Sequence, residues 1–294
     1  MNAITTSKPK MSSFQKRKLI KQLIGQVIVF ALGLVMIYPL IWMLSSSFKE
    51  TSTIFHTASQ LIPETIVFEN FVNGWRGVSN TTFGTFFTNS FILSGLGTVG
   101  AVISSALVGY AFSRGQFVGK KILFALMLST LMLPAQVLMV PQFLWFNTLG
   151  WIGSYNPLIV PAFFAISGFF VFLITNFING IPKELDEAAK IDGCSFYGIF
   201  ARIILPLSVP ALITTSLFSF IWRWDDFMGP LIYIRRVPQF PASLALRMFA
   251  DPAAATDWGA VFAMSTLSLV PAVAIFIFLQ KYLVEGISTS GLKG

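Results

Sequence analysis

The chain has 294 residues, of which 55% are hydrophobic and only 11% charged. Soluble domains carry about a quarter charged residues, so this composition excludes an ordinary water-soluble enzyme, and a single cysteine, Cys194, excludes a disulfide scaffold. A mean hydropathy of +0.75 with 20 Lys+Arg against 12 Asp+Glu, a formal charge of +8, fits an integral membrane protein whose extra cations follow the charge asymmetry of the bilayer.

In chain order, residues 1–22 form a basic tail with Lys8, Lys10, Lys16, Arg17, Lys18 and Lys21 and no acid, suited to lie loosely ordered against anionic headgroups. A bilayer core about 30 Å thick takes roughly 20 apolar residues of helix. Six stretches reach that length, at about residues 23–44, 89–112, 122–146, 157–179, 203–222 and 259–280, and none holds an Asp, Glu, Lys, Arg or His. The expected fold is therefore all-α with six transmembrane helices in one domain over residues 23–283, and residues 284–294 form a C-terminal tail. The first stretch is too long, and Trp42 and Met43 too bulky, for a cleaved signal peptide. Pro206 and Pro210 make the fifth the least regular. Fourteen of the basic residues fall on the side of the two termini, whereas Lys49, Arg76, Arg223, Arg235, Arg236 and Arg247 fall on the other. Positive-inside thus places both termini in the cytoplasm, as an even number of spans requires.

The first outer loop, residues 45–88, holds Pro63, Trp75, Phe68, Phe71, Phe83, Phe86 and Phe87 and reads as a partly packed interfacial segment. His56 has no second ligand, so no metal site is expected there or elsewhere. In the second span Gly97, Ala101, Ser105 and Gly109 recur every four residues, a small-residue stripe serving either packing within the chain or a subunit interface. Asn89, Gln136, Asn147 and Asn176 are polar groups in or beside spans and are candidates for a substrate path; bundle packing explains them equally well.

The fourth loop is the most informative. Pro182 suits a first helical position, Glu184, Asp186 and Glu187 suit the positive N-terminal end, and Gly193 suits a left-handed cap. Ser195 then caps a second helix running into the fifth span. Leu185, Ala188, Ala189 and Asp192 fall at i, i+3, i+4 and i+7, which predicts a small face able to fit closely against something. Cys194 reads as a small residue in a reducing compartment.

Glu187-Ala188-Ala189, three residues, Gly193, nine residues, and then Ile203, Leu205 and Pro206 resemble the EAA motif of ABC-importer permease subunits. Gly109-Tyr-Ala-Phe-Ser-Arg114, the stretch from Leu133-Pro134 to Val140-Pro141, Trp224-Asp225-Asp226-Phe227, Thr256-Asp-Trp-Gly259 and the ending Gly286-Ile-Ser-Thr-Ser-Gly-Leu-Lys-Gly294 narrow the resemblance to the six-span small permeases of carbohydrate importers of the maltose-transporter family. Where that family usually has Asn-Glu after the tryptophan, this chain has Asp225-Asp226. The resemblance implies a type I ABC-importer permease fold, with a coupling helix in the loop between spans four and five. That helix docks on separate ATPase subunits through Glu187, Ala188, Ala189 and the turn at Gly193. It also implies a C-terminal tail whose Gly291, Lys293 and Gly294 pass between those ATPases, unless that end is simply a frayed terminus. The implied assembly comprises a second, homologous permease, two ATPases that bind ATP and magnesium, and an extracytoplasmic solute-binding protein, in a bacterial inner membrane. In that family the outer loop before the last span enters the binding protein's sugar cleft. Here that loop carries Arg235, Arg236 and Arg247, which either favour an acidic oligosaccharide, pair with Asp251 and Asp257, or lie at the headgroups.

The chain itself lacks a phosphate loop. Gly115 to Gly119-Lys120-Lys121 has the wrong spacing and no closing Ser or Thr. It is therefore expected to be a permease and not an enzyme, with transport energy arriving from another polypeptide. The rival reading, an ion-coupled secondary transporter or channel, usually needs ionisable residues inside the spans, and these spans have none.

Overall fold

The computed structural model describes residues 13–250 and 256–291. Among them the regular structure is helical, apart from one antiparallel bridge between Val78 and Thr81. The helices are α1 (Ser13–Ser46), α2 (Glu69–Arg76), α3 (Phe83–Arg114), α4 (Lys120–Thr130), α5 (Ala135–Thr148), α6 (Asn156–Ile159), α7 (Gly168–Asn179), α8 (Glu184–Ile191), α9 (Phe196–Ile199), α10 (Leu205–Leu207), α11 (Val209–Trp224), α12 (Met228–Tyr233), α13 (Ala242–Phe249) and α14 (Trp258–Gly291).

Among the described residues, four helical stretches are long and apolar enough to cross a bilayer: Ile20–Ser46, Phe83–Arg114, Asn156–Asn179 and Trp258–Lys281. The predicted stretch over 122–146 is not one straight helix. It divides into α4 and α5, bent by 105°, because Pro134 has no backbone N–H to give and drives its own neighbourhood into extended backbone (ψ 131°). The helix capped by Ser195 starts at Phe196 and leads into the fifth stretch, as predicted, but bends by 74° before α11. Its first part passes through a π-helical turn, Phe200–Ile204, just ahead of Pro206, and the break falls at Ser208 before Pro210. The fourth stretch is interrupted by a 3₁₀ turn, Val160–Phe164, and by Ala165 in the left-handed region (φ 52°).

The ends extend beyond the sequence-based boundaries. α1 is already helical from Ser13, inside the segment expected to be loose. α14 continues to Gly291. Lys293 and Gly294, like Lys8, Lys10 and Asp251, lie outside the described residues.

α3 is the central element, packing against α7 on one side and α11 on another, while α11 packs on α14. The small-residue stripe explains why. A side chain at Gly97 would meet the Arg223 guanidinium at 2.6 Å, and one at Gly109 would meet Ile174 at 2.8 Å. Ala101 is buried with Ala162 and Phe170, and Ser104 Oγ donates to the Ala162 carbonyl at 2.7 Å. The stripe therefore brings backbones together within the chain. By contrast α1 packs, among the described helices, mainly on α14, its end is tied to the following segment by the bond from Trp42 Nε1 to Ala58 O, and it presents Val29, Phe30, Val35 and Met36 outward, as a lipid-facing helix does.

The segment between α1 and α3 is ordered, as its aromatic content predicted. Lys49 is 3% exposed, and its ammonium donates to the carbonyls of Thr57 (2.8 Å) and Gln60 (2.6 Å). Buried Asn70 donates to the carbonyls of Ser47 and Lys49, and Thr51 to Asp257 at 2.7 Å. Phe83 and Phe86 are fully buried against α13 and α14.

Candidate functional site

The loop between α7 and α11 is built as its residues demand. α8 starts at Glu184, two positions after Pro182, with Glu184, Asp186 and Glu187 in its first turn and Lys190 in its last, the order the helix dipole favours. It ends in a Schellman cap. Gly193 adopts φ +79°, its N–H donates to Lys190 O at 3.0 Å, and Cys194 N–H donates to Ala189 O at 2.9 Å. Ser195 Oγ accepts from Gly198 N–H at 3.1 Å and caps α9, as read from the sequence.

The predicted close-fitting face of α8 needs correction. Ala188 and Ala189 do not share an environment: Ala189 is 5% exposed and Asp186 6%, whereas Glu184, Leu185, Glu187, Ala188 and Asp192 are exposed. Arg114, at the end of α3, pairs with Asp186 and rotates that side of α8 inward. The face left outward is Glu184, Glu187, Ala188 and Ile191, at i, i+3, i+4 and i+7, with Ile191 87% exposed and Tyr197 of α9 77% exposed beside it. This is a mixed acidic and apolar surface on a firmly seated helix.

The seat is a buried cluster of Ala106, Tyr110, Ile174, Ile178, Ile181, Ala189, Ile199 and Ile204. Cys194 and Ile203 are half-buried against it. Leu205 is half-buried and Pro206 exposed, the latter in the first turn of α10. Three polar contacts tie the loop to the last turns of α3. Tyr110 Oη donates to Phe196 O at 3.0 Å, Ser113 Oγ to Asn179 Oδ1 at 2.6 Å, and Arg114 Nη2 to Ile181 O at 2.7 Å. In the sequence Arg114 stands out only as a cation of the cytoplasmic side that ends the Gly109–Arg114 segment, and Asp186 only as an acid favoured by the helix dipole. The signal that links them is that Asp186 is the one acid on the side of α8 that Ala189 turns inward.

At the far end of α3, Asn89 is buried. Its Nδ2 donates to the carbonyls of Pro238 (2.8 Å) and Phe240 (3.0 Å), so it holds the chain between α12 and α13. Gln136 on α5, Asn147 near its end and Asn176 on α7 are exposed. Arg235, Arg236 and Arg247 are also exposed and, among the described residues, pair with no carboxylate; Asp257 is engaged by Thr51 and by the Ala260 N–H. Asp226 accepts from Gly229 N–H, in the first turn of α12, at 3.0 Å, and burial pushes its carboxyl above the ordinary aspartate range despite that bond and nearby Arg223. Among the described residues no cluster of His, Cys, Asp and Glu is arranged to hold a metal.

The sequence profile of the binding-protein-dependent transport system inner membrane component family matches residues 101–289. The chain is 38% identical to the probable ABC transporter permease protein YurM of Bacillus subtilis, covering 91% of this chain and 87% of that one. It is 32% identical to the trehalose/maltose transport system permease protein MalG of Thermococcus litoralis (95% and 99% covered), and 31% identical to the arabinooligosaccharides transport system permease protein AraQ of Halalkalibacterium halodurans (90% and 93%). Its fold is similar to that of a chain in a bacterial ABC transporter involved in the import of the acidic polysaccharide alginate, with a TM-score of 0.79 at 22% identity over 94% of this chain and 99% of that one.

Proposed function

The chain belongs to the family of binding-protein-dependent transport system inner membrane components, and on that premise we propose that it is one transmembrane half of an ATP-driven importer of sugars or oligosaccharides. The relatives named for trehalose and maltose or for arabinooligosaccharides support that substrate class. In this reading each bent pair, α4 with α5 and α9–α10 with α11, crosses the bilayer once, giving six spans in the inner membrane with both termini cytoplasmic. α8 is then the coupling helix. It meets a separate ATPase subunit through Glu187, Ala188 and Ile191, and ATP and magnesium are bound there and not by this chain. A second permease completes the pathway, a solute-binding protein delivers the sugar, and the tail from Gly291 through Lys293 and Gly294 reaches between the ATPases.

The observation that carries this reading is the asymmetry of α8: one side is fixed by the pair of Asp186 with Arg114, and the other is left apolar, acidic and exposed, with nothing among the described residues to cover it. A rigid-body switch driven from outside needs such a handle. The test is reconstitution. The chain is expected to purify with its ATPase subunits and to import only with ATP and the binding protein; ATP-independent uptake by the chain alone would establish the carrier reading instead.

The exposure of Arg235, Arg236 and Arg247, which pair with no carboxylate among the described residues, supports an anionic oligosaccharide. Changing Arg235, Arg236 and Arg247 together to Gln is expected to reduce uptake of a galacturonate oligomer by about tenfold, with uptake of a neutral oligomer changed less than twofold. Uptake assays with both substrates check it, and unchanged galacturonate uptake ends the idea.

A further inference from the structure

We infer that Arg114 and Asp186 are positioning residues for coupling, a buried pin that makes α8 and α3 move together, so that α3 delivers displacement of α8 to residues 237–242 at its far end. The inference rests on reading α8 as the coupling helix. The side chains of the pair are 6% and 9% exposed, so little solvent screens their attraction. Asp186 Oδ2 accepts from Arg114 Nε, and Oδ1 is buried with no hydrogen-bond partner among the described residues, which leaves Arg114 as the group holding that carboxylate. The same guanidinium donates to Ile181 O, and Tyr110 and Ser113 tie the loop at two further points, so the end of α3 grips both flanks of α8.

α3 is also the stiff route out of this loop. It runs 32 residues without a proline, about 48 Å at roughly 1.5 Å per residue. The covalent route from α8 toward α11 is softened by the π turn and the 74° bend, and the α4–α5 route by its 105° bend. The far end of α3 is fixed in the same way as the near end. Asn89 donates to Pro238 O and Phe240 O, and Ser90 Oγ accepts from Ala242 N–H at 2.8 Å. Both ends thus hold backbone or ionic groups of the segments they would move, an arrangement that passes on translation with little loss.

The test uses the assembled importer in nanodiscs, with Cys194 replaced by Ser and an environment-sensitive thiol dye at Lys190→Cys or Arg236→Cys. Addition of ATP, magnesium and vanadate is expected to change the signal at both positions in the parent. In Asp186→Asn or Arg114→Gln the change at position 190 is expected to persist, with ATPase subunits bound in parental amounts, while the change at position 236 falls about tenfold. Arg114→Lys, which keeps the charge, is expected to restore at least a third of it. Asn89→Ala is expected to reproduce the loss at 236 from the other end. An undiminished response at 236 in Asp186→Asn overturns the inference. So does loss of the ATPase subunits from that variant, which would confine the pair to holding the docking surface. A parent that never binds ATPase subunits fails the coupling-helix reading itself, a result the dye measurements do not mimic.

Discussion

Glu187→Lys is expected to leave the chain folded and inserted while suppressing ATP-driven uptake by about a hundredfold. Glu187 is exposed and, among the described residues, its carboxylate has no hydrogen-bond or ion-pair partner in its own chain, so the substitution breaks no internal side-chain contact. Its one local cost is the loss of an anion from the first turn of α8, worth about 0.3–1 kcal/mol, and Glu184 and Asp186 remain there. Its effect on assembly is of a different size. If the partner surface offers a cation, reversal places like charges together at a cost of several kcal/mol. About 3 kcal/mol corresponds to roughly a hundredfold in affinity. Two measurements check this: the amount of ATPase subunit co-purifying with the variant, and the thermal midpoint of the permease alone. Normal coupled uptake by the variant would remove Glu187, and with it the outward face of α8, from the energy path. Glu184→Lys, on the same face one turn earlier, is the companion that maps how far the contact extends.

The sequence made legible what depends on local chemistry. The Gly193 cap and the Ser195 cap follow from φ preference and a side-chain acceptor, and both stand where expected; the helix favoured by the charges at its ends also forms, but it starts at Glu184 and leaves Pro182 outside its first turn. The apolar stretches were legible because the bilayer sets their length. The breaks at Leu133-Pro134 and Ser208 were harder. A proline removes a hydrogen bond wherever it falls, but only neighbouring helices decide whether the chain continues as one helix, as α14 does through Pro271, or turns through 105°. The orientation of α8 was misread because its apolar periodicity is weak. Two alanines differ little in what they gain by burial, and the face is chosen by a charge 72 residues away, Arg114. Asn89 likewise had two readings until its carbonyl partners, about 150 residues downstream, were in place.

The crossing of α3 and α7 should be the most sensitive packing site above the loop, and Gly109→Val is expected to cost about 1–3 kcal/mol. A Cβ at Gly109 would lie 2.8 Å from Ile174 Cγ2 and 3.3 Å from the Thr175 backbone nitrogen. Ile174 is fully buried and Thr175 2% exposed, its hydroxyl bonded to Val171 O at 2.7 Å, so neither neighbour has room to give. The helices must separate, and the separation falls one residue before Tyr110 and within five of Arg114, the groups that seat α8. Gly95, on the same helix, has nothing within 4 Å of its would-be Cβ, so Gly95→Ala is expected to be neutral or to stabilise by up to about 1 kcal/mol through helix propensity. Thermal unfolding in detergent of both variants reads the contrast directly. The valine at 109 should lower the midpoint and, because it unseats the loop, reduce uptake in membranes where the protein remains inserted. A Gly109→Val protein with an unchanged midpoint would mean that α3 and α7 do not meet at this distance, and the seat beneath α8 would then have to be held by its polar contacts alone.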